Sequence, residues 1–99
     1  MRTWPLADPA AGLVFSFSAV ETAVLFQRGG LLRRVAEAAP WRPALRFFLP
    51  AEGAAGVLAL FPRDAIRPML GAQAAHPVEA EFKQCLFDAA SRAEWPDFS

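Results

Sequence analysis

The chain predicts an α+β domain, a small antiparallel or mixed sheet covered on one face by helices, in the order β-α-β-β-α-α. Three observations lead there. Leu13-Val14-Phe15-Ser16-Phe17-Ser18 alternates in steps of two, the period of a half-buried strand. Ala44 to Leu49 and Gly56 to Phe61 are apolar runs of strand length. Two further stretches, from Ser18 to Pro40 and from Pro77 to Trp95, repeat apolar residues at helical spacing. With a helix between the first strand and the later pair, the simplest packing sets the helices on one face of the sheet.

Met1 to Gly12 contains Pro5, Pro9 and Gly12 and reads as an extended arm, ahead of a single α/β domain over residues 13–99. The first strand follows. Ser18-Ala19-Val20-Glu21 then matches a capping box, in which the serine oxygen takes an orphan amide and the glutamate returns to the cap amide. Leu25, Gly29, Leu32, Ala36 and Ala39 continue the helical spacing, and the paired glycines 29 and 30 predict a kink or break. The competing reading makes Thr22 to Gln27 and Leu31 to Val35 two strands of a hairpin turning at Arg28-Gly29-Gly30. The capping box and the segment after Val35 favour the helix.

The two apolar runs are joined by Pro50-Ala51-Glu52-Gly53-Ala54-Ala55, a loop with turn chemistry, and so predict a hairpin. Val57 to Phe61 is apolar at every position, the pattern of a central strand covered on both sides. Pro62 to Gly71 predicts only a short helix, since Pro68 lacks an amide, with Asp64 as its cap. The last helix opens at His76-Pro77, with Glu79 and Glu81 at the positive end of its dipole. Its apolar stripe is Val78, Phe82, Cys85, Leu86, Ala89 and Ala93, with Glu79/Lys83 and Asp88/Arg92 as i,i+4 pairs outside it.

Composition limits function. Cys85 is the only cysteine and His76 the only histidine, so neither an internal disulfide nor a zinc site of several Cys and His ligands is available. The two residues are nine apart on one helix, roughly 13 Å in rise, too far for a nucleophile and its base. Cys85 is expected to be a buried, inert thiol and His76 a helix cap. Gly53-Ala54-Ala55-Gly56 and Gly29-Gly30 lack the spacing and lysine of phosphate loops, and Ser16 and Ser18 have no neighbouring base. No enzyme activity, metal or cofactor is expected.

Arg2 is followed by Pro5, Asp8 and Pro9 before the apolar run from Leu13, a poor signal peptide. The stretch Gly12 to Phe26 is broken by Ser16, Ser18, Glu21 and Thr22, so no membrane span is expected and the cytoplasm is the expected compartment. A formal net charge of zero supplies no overall basic field, which makes nucleic acid an unexpected partner.

The charge is nonetheless uneven along the chain. Arg28, Arg33, Arg34, Arg42 and Arg46 face a single acid, Glu37, in their segment, whereas acids outnumber bases from Glu79 onward. Trp41 stands beside Arg42, and tryptophan with arginine is the pairing most enriched at interface hot spots. Arg33, Arg34, Trp41, Arg42 and Arg46 are therefore the candidate partner-binding residues. The nine phenylalanines and three tryptophans also exceed what one small core encloses, which predicts contact with a larger protein or a second copy.

The expectation for function is a non-catalytic domain that associates stoichiometrically with a larger protein, as an inhibitor, immunity-type or accessory factor. Bacterial and phage inhibitors of defence systems offer the analogy. The alternative is a small homodimeric ligand-binding protein or enzyme with a pocket at the sheet-helix or dimer interface.

Overall fold

The computed structural model describes residues 2–5, 12–38 and 57–93. Three strands and four helices follow in the order β-β-α-α-β-α-α: β1 (Arg2–Pro5), β2 (Gly12–Phe17), α1 (Ala19–Leu25), α2 (Leu31–Ala38), β3 (Val57–Pro62), α3 (Arg63–Gly71) and α4 (Pro77–Arg92). The class is α+β with a small antiparallel sheet and helices on one of its faces. The expected strand at residues 44–49 lies outside the described residues.

The sheet order is β1-β2-β3, and both pairings are antiparallel. Within the stretch read as an extended arm, Arg2–Pro5 is a strand whose register sets Thr3 across from Phe15 and Trp4 across from Val14. On the other side of β2, Leu13 pairs with Phe61, Val14 with Leu60 and Ser16 with Leu58. The alternation in β2 does what its period predicts: Leu13, Phe15 and Phe17 are buried, and Val14 and Ser16 are half-buried on the opposite face.

β3 departs from expectation. Ala59 and Phe61 are buried against the helices, but Leu58 is 62% and Leu60 50% exposed. Among the described residues the middle strand is β2, so a run of apolar residues in β3 marks an open face and not a strand covered twice.

The helical reading between Ser18 and Pro40 holds, and of the kink or break expected at Gly29-Gly30 the structure has the break, giving two helices; the hairpin alternative is excluded because Thr22 and Leu31 to Val35 are helical. α1 starts with the expected capping box: Glu21 N donates to Ser18 Oγ at 3.3 Å and Ser18 N donates to Glu21 Oε1 at 2.8 Å. It ends at Phe26, and the chain turns through Gln27 to Gly30. The turn is tight: a Cβ at Gly30 would lie 2.8 Å from the Val24 carbonyl oxygen and 2.9 Å from those of Leu25 and Gln27. Only glycine fits there, and the helix cannot run through.

α3 continues past Pro68 to Gly71, further than a proline-limited helix was expected to run. Pro68 is exposed and forfeits one hydrogen bond, to the Asp64 carbonyl, while Ala65, Ile66 and Met69 hold the buried side of the helix in the core. Asp64 is not the cap. The cap position is Pro62, which offers no side-chain bond, and Asp64 sits in the first turn, where a carboxylate favours the dipole.

α4 opens as expected, with His76 Nδ1 accepting from Val78 N at 3.1 Å and Pro77 at the first helical position. It ends at Arg92, earlier than Trp95. Its buried residues are Glu79, Phe82, Leu86, Ala89 and Ala90, so the inward face is rotated from the expected stripe. Val78, Cys85 and Ala93 flank it, partly buried, and Cys85 is not the enclosed thiol expected from its place in the pattern.

Five phenylalanines form the centre of the core. The Phe82 ring lies 5.3 Å from Phe15, 5.8 Å from Phe17 and 5.9 Å from Phe61, and Phe17 stands 5.6 Å from Phe26. Most of these pairs meet edge to face, the arrangement that aligns a ring's positive edge with its neighbour's negative face. α1, α3 and α4 pack on the sheet, and α2 lies against α1 and α3.

Candidate functional site

The arginine segment is carried by α2 and the turn before it. Arg28 is exposed in that turn. Arg33 Nε donates to the Phe26 carbonyl, closing the C-terminus of α1 from the next helix. Arg34 Nη2 donates to the Gln73 carbonyl at 2.7 Å and lies 3.7 Å from Glu79 Oε1. Its Nε is buried with no hydrogen-bond partner. Both guanidinium groups are thus engaged with the chain's own backbone. Trp41, Arg42 and Arg46, the other candidates for partner binding, lie outside the described residues.

Glu79 was expected on the solvent side in a pair with Lys83. Instead it is 2% exposed, and its two oxygens are divided: Oε2 accepts Leu31 N at 2.7 Å, and Oε1 accepts Ala75 N at 2.8 Å. Lys83 Nζ donates to the Ala72 carbonyl at 2.7 Å, on the same connection between α3 and α4. The Asp88/Arg92 pair is also rearranged: Arg92 Nε reaches the Asp88 main-chain carbonyl at 3.3 Å, and Asp88 Oδ1 takes Gln84 Nε2 at 3.0 Å. Spacing alone cannot reveal Glu79, because a glutamate in a first helical turn ordinarily serves the dipole of its own helix.

The groups available for chemistry are dispersed. His76 is exposed and spends Nδ1 on the helix cap. Burial, followed by the nearby carboxylates of Glu81 and Asp88, pushes the Cys85 thiol up from its ordinary range, which lowers its thiolate fraction. Among the described residues no group of three His, Cys, Asp or Glu side chains is placed to hold a metal ion. No helix among them is long and apolar enough to cross a membrane.

Two surfaces remain. The first is the sheet face turned away from the helices, where Val14 and Ser16 of β2 stand beside Leu60 and Leu58 of β3. On the far side of β2, the register pairs Trp4 with Val14 and Arg2 with Ser16. The second is an open groove of about 350 Å³ between the end of α3 and α4, lined by Leu70, Ala74, Ala80, Lys83, Gln84 and Phe87. Phe87 is 47% exposed at its rim. Lys83 and Gln84, its polar members, each make a hydrogen bond within the chain.

The sequence reading missed the sheet face because it assigned β3 to the interior. The available signal was the contrast between β2, which alternates apolar and small polar residues, and β3, which does not. Compared with protein-family models, with curated proteins and with solved structures, the chain shows no match.

Proposed function

We propose that this chain is a non-catalytic binding domain that associates stoichiometrically with a larger protein, as an inhibitor, immunity-type or accessory factor of bacterial or phage kind, in the cytoplasm. The observation that carries the reading is the cluster of Val14, Leu58 and Leu60 around Ser16 on the sheet face without helices. An exposed leucine is ordinary on its own. Two neighbouring leucines, both at least half exposed and cross-strand from a valine and a serine, form a patch that association would remove from water.

A specific interface needs roughly 800 Å² per partner, more than two leucines supply. They are the apolar centre of a larger footprint. α2, which carries Arg33 and Arg34, packs on α1 and α3 in the helix layer. Arg33 and Arg34 contribute less to this reading than their sequence position suggests, since their donors serve the Phe26 and Gln73 carbonyls. The dispersed His76 and Cys85 support the non-catalytic part.

The test is affinity capture from the native host with the full chain and with a Leu58→Asp/Leu60→Asp variant. A partner recovered in a fixed ratio by the wild type and lost by the variant, with unchanged circular dichroism, supports the proposal. Equal recovery by both sinks the sheet face as the contact. Sedimentation of the purified wild type as a dimer, with no partner captured, would favour the homodimeric alternative.

A further inference from the structure

We infer that α2 is a separately opening segment of the fold and that Glu79 is its latch. Gly30 occupies the cap position of α2: its carbonyl accepts from Arg34 N at 2.9 Å, the first bond of the helix. The crowding by three carbonyls of the preceding turn restricts that position to glycine, so the helix has no capping side chain of its own. It has no acidic residue in its first turn either. The cap comes from 48 residues away, as Glu79 Oε2 accepts Leu31 N. The same carboxylate takes Ala75 N through its other oxygen and so ties the α3–α4 connection to the start of α2.

This arrangement matters because α2 has only eight residues. Helices so short do not persist without tertiary support, since nucleation costs more than a few intrahelical bonds return. The support consists of Leu31, Leu32 and Val35 in the core, of this carboxylate, and of the bonds from Arg33 and Arg34 to the Phe26 and Gln73 carbonyls. Releasing the carboxylate leaves the Leu31 amide unpaired in a buried setting, at the end of the helix where unpaired amides are concentrated. Opening α2 would uncover those three apolar side chains and move Arg33 and Arg34 with them. The inference goes beyond the proposed binding role and does not depend on it.

Residue-resolved hydrogen exchange on the full chain tests it, with wild type, Glu79→Gln and Arg34→Met compared. A glutamine offers one acceptor oxygen where two amides converge, so one of the two must go unserved. The expected result is a roughly ten- to hundred-fold loss of protection at the α2 amides of Glu79→Gln, with amides of β2 and α4 unchanged. Arg34→Met, which leaves both amide bonds in place, should retain most of the α2 protection. Three outcomes would overturn the inference: unchanged α2 protection in Glu79→Gln, equal loss across β2, α2 and α4, or an equal effect of Arg34→Met.

Discussion

Removing the Phe82 ring tests the core most directly. The side chain is fully buried, and its ring lies within 5.3 to 5.9 Å of Phe15, Phe17 and Phe61, so it closes the helix layer onto both β2 and β3. Neighbours drawn from two strands of one sheet cannot collapse inward without bending that sheet, so most of the vacated volume persists as a cavity. Phe82→Ala should therefore cost about 3 to 5 kcal/mol, a large share of the roughly 5 to 15 kcal/mol that stabilises a domain. For a chain of this length that lowers Tm by roughly 15 to 30 °C. The assay is urea unfolding followed by far-ultraviolet circular dichroism, with Phe87→Ala as the reference. Phe87 is the same residue type on the same helix but 47% exposed, and its loss should cost less than about 1 kcal/mol. Matching midpoints for the two variants would refute the placement of Phe82 at the centre of the core.

Two further outcomes follow from local geometry. Gly12 has φ 150° at the start of β2, and a Cβ there would overlap the Phe61 carbonyl and approach Pro62 Cα to 3.0 Å, so Gly12→Ala should destabilise by about 1 to 3 kcal/mol. Denaturant midpoints measure it, and a neutral substitution would contradict the β2–β3 register. Glu21 titrates below its ordinary value of 4.5: its partial burial opposes this, but the Ser18 amide and hydroxyl, bonded to its charged form, prevail. A depressed folded-state pKa means that the capping box contributes its full stability above the ordinary value and loses it as pH falls through the folded one. The gap in stability between wild type and Glu21→Gln should thus be present at neutral pH and close in acid, and a gap independent of pH would contradict the capping box.

Much of the local structure was legible in the chain. The alternation over Leu13 to Phe17 identifies β2 and its buried side. Ser18 and Glu21 mark the start of α1, and His76-Pro77 marks that of α4, because caps depend on residues three or four apart. The α+β class followed from those elements and their order.

Other features required the assembled molecule. The apolar run of β3 reads the same whether one or both faces are covered, and the layer of helices on a single face left Leu58 and Leu60 open. Pro68 remained helical because Ile66 and Met69, on either side of it, anchor α3 in the core. Two weak glycines in sequence became a break because three carbonyls crowd Gly30. Glu79 carries the clearest lesson. Its spacing to Lys83 suits a solvent-side pair, yet the Leu31 amide, 48 residues away, and the Ala75 amide, just ahead of α4, converge on its carboxylate. A buried carboxylate bonded to two amides, one of them itself buried, stabilises more than an exposed ion pair does, so the inward face of α4 depends on a donor, Leu31 N, that spacing along the helix does not reveal.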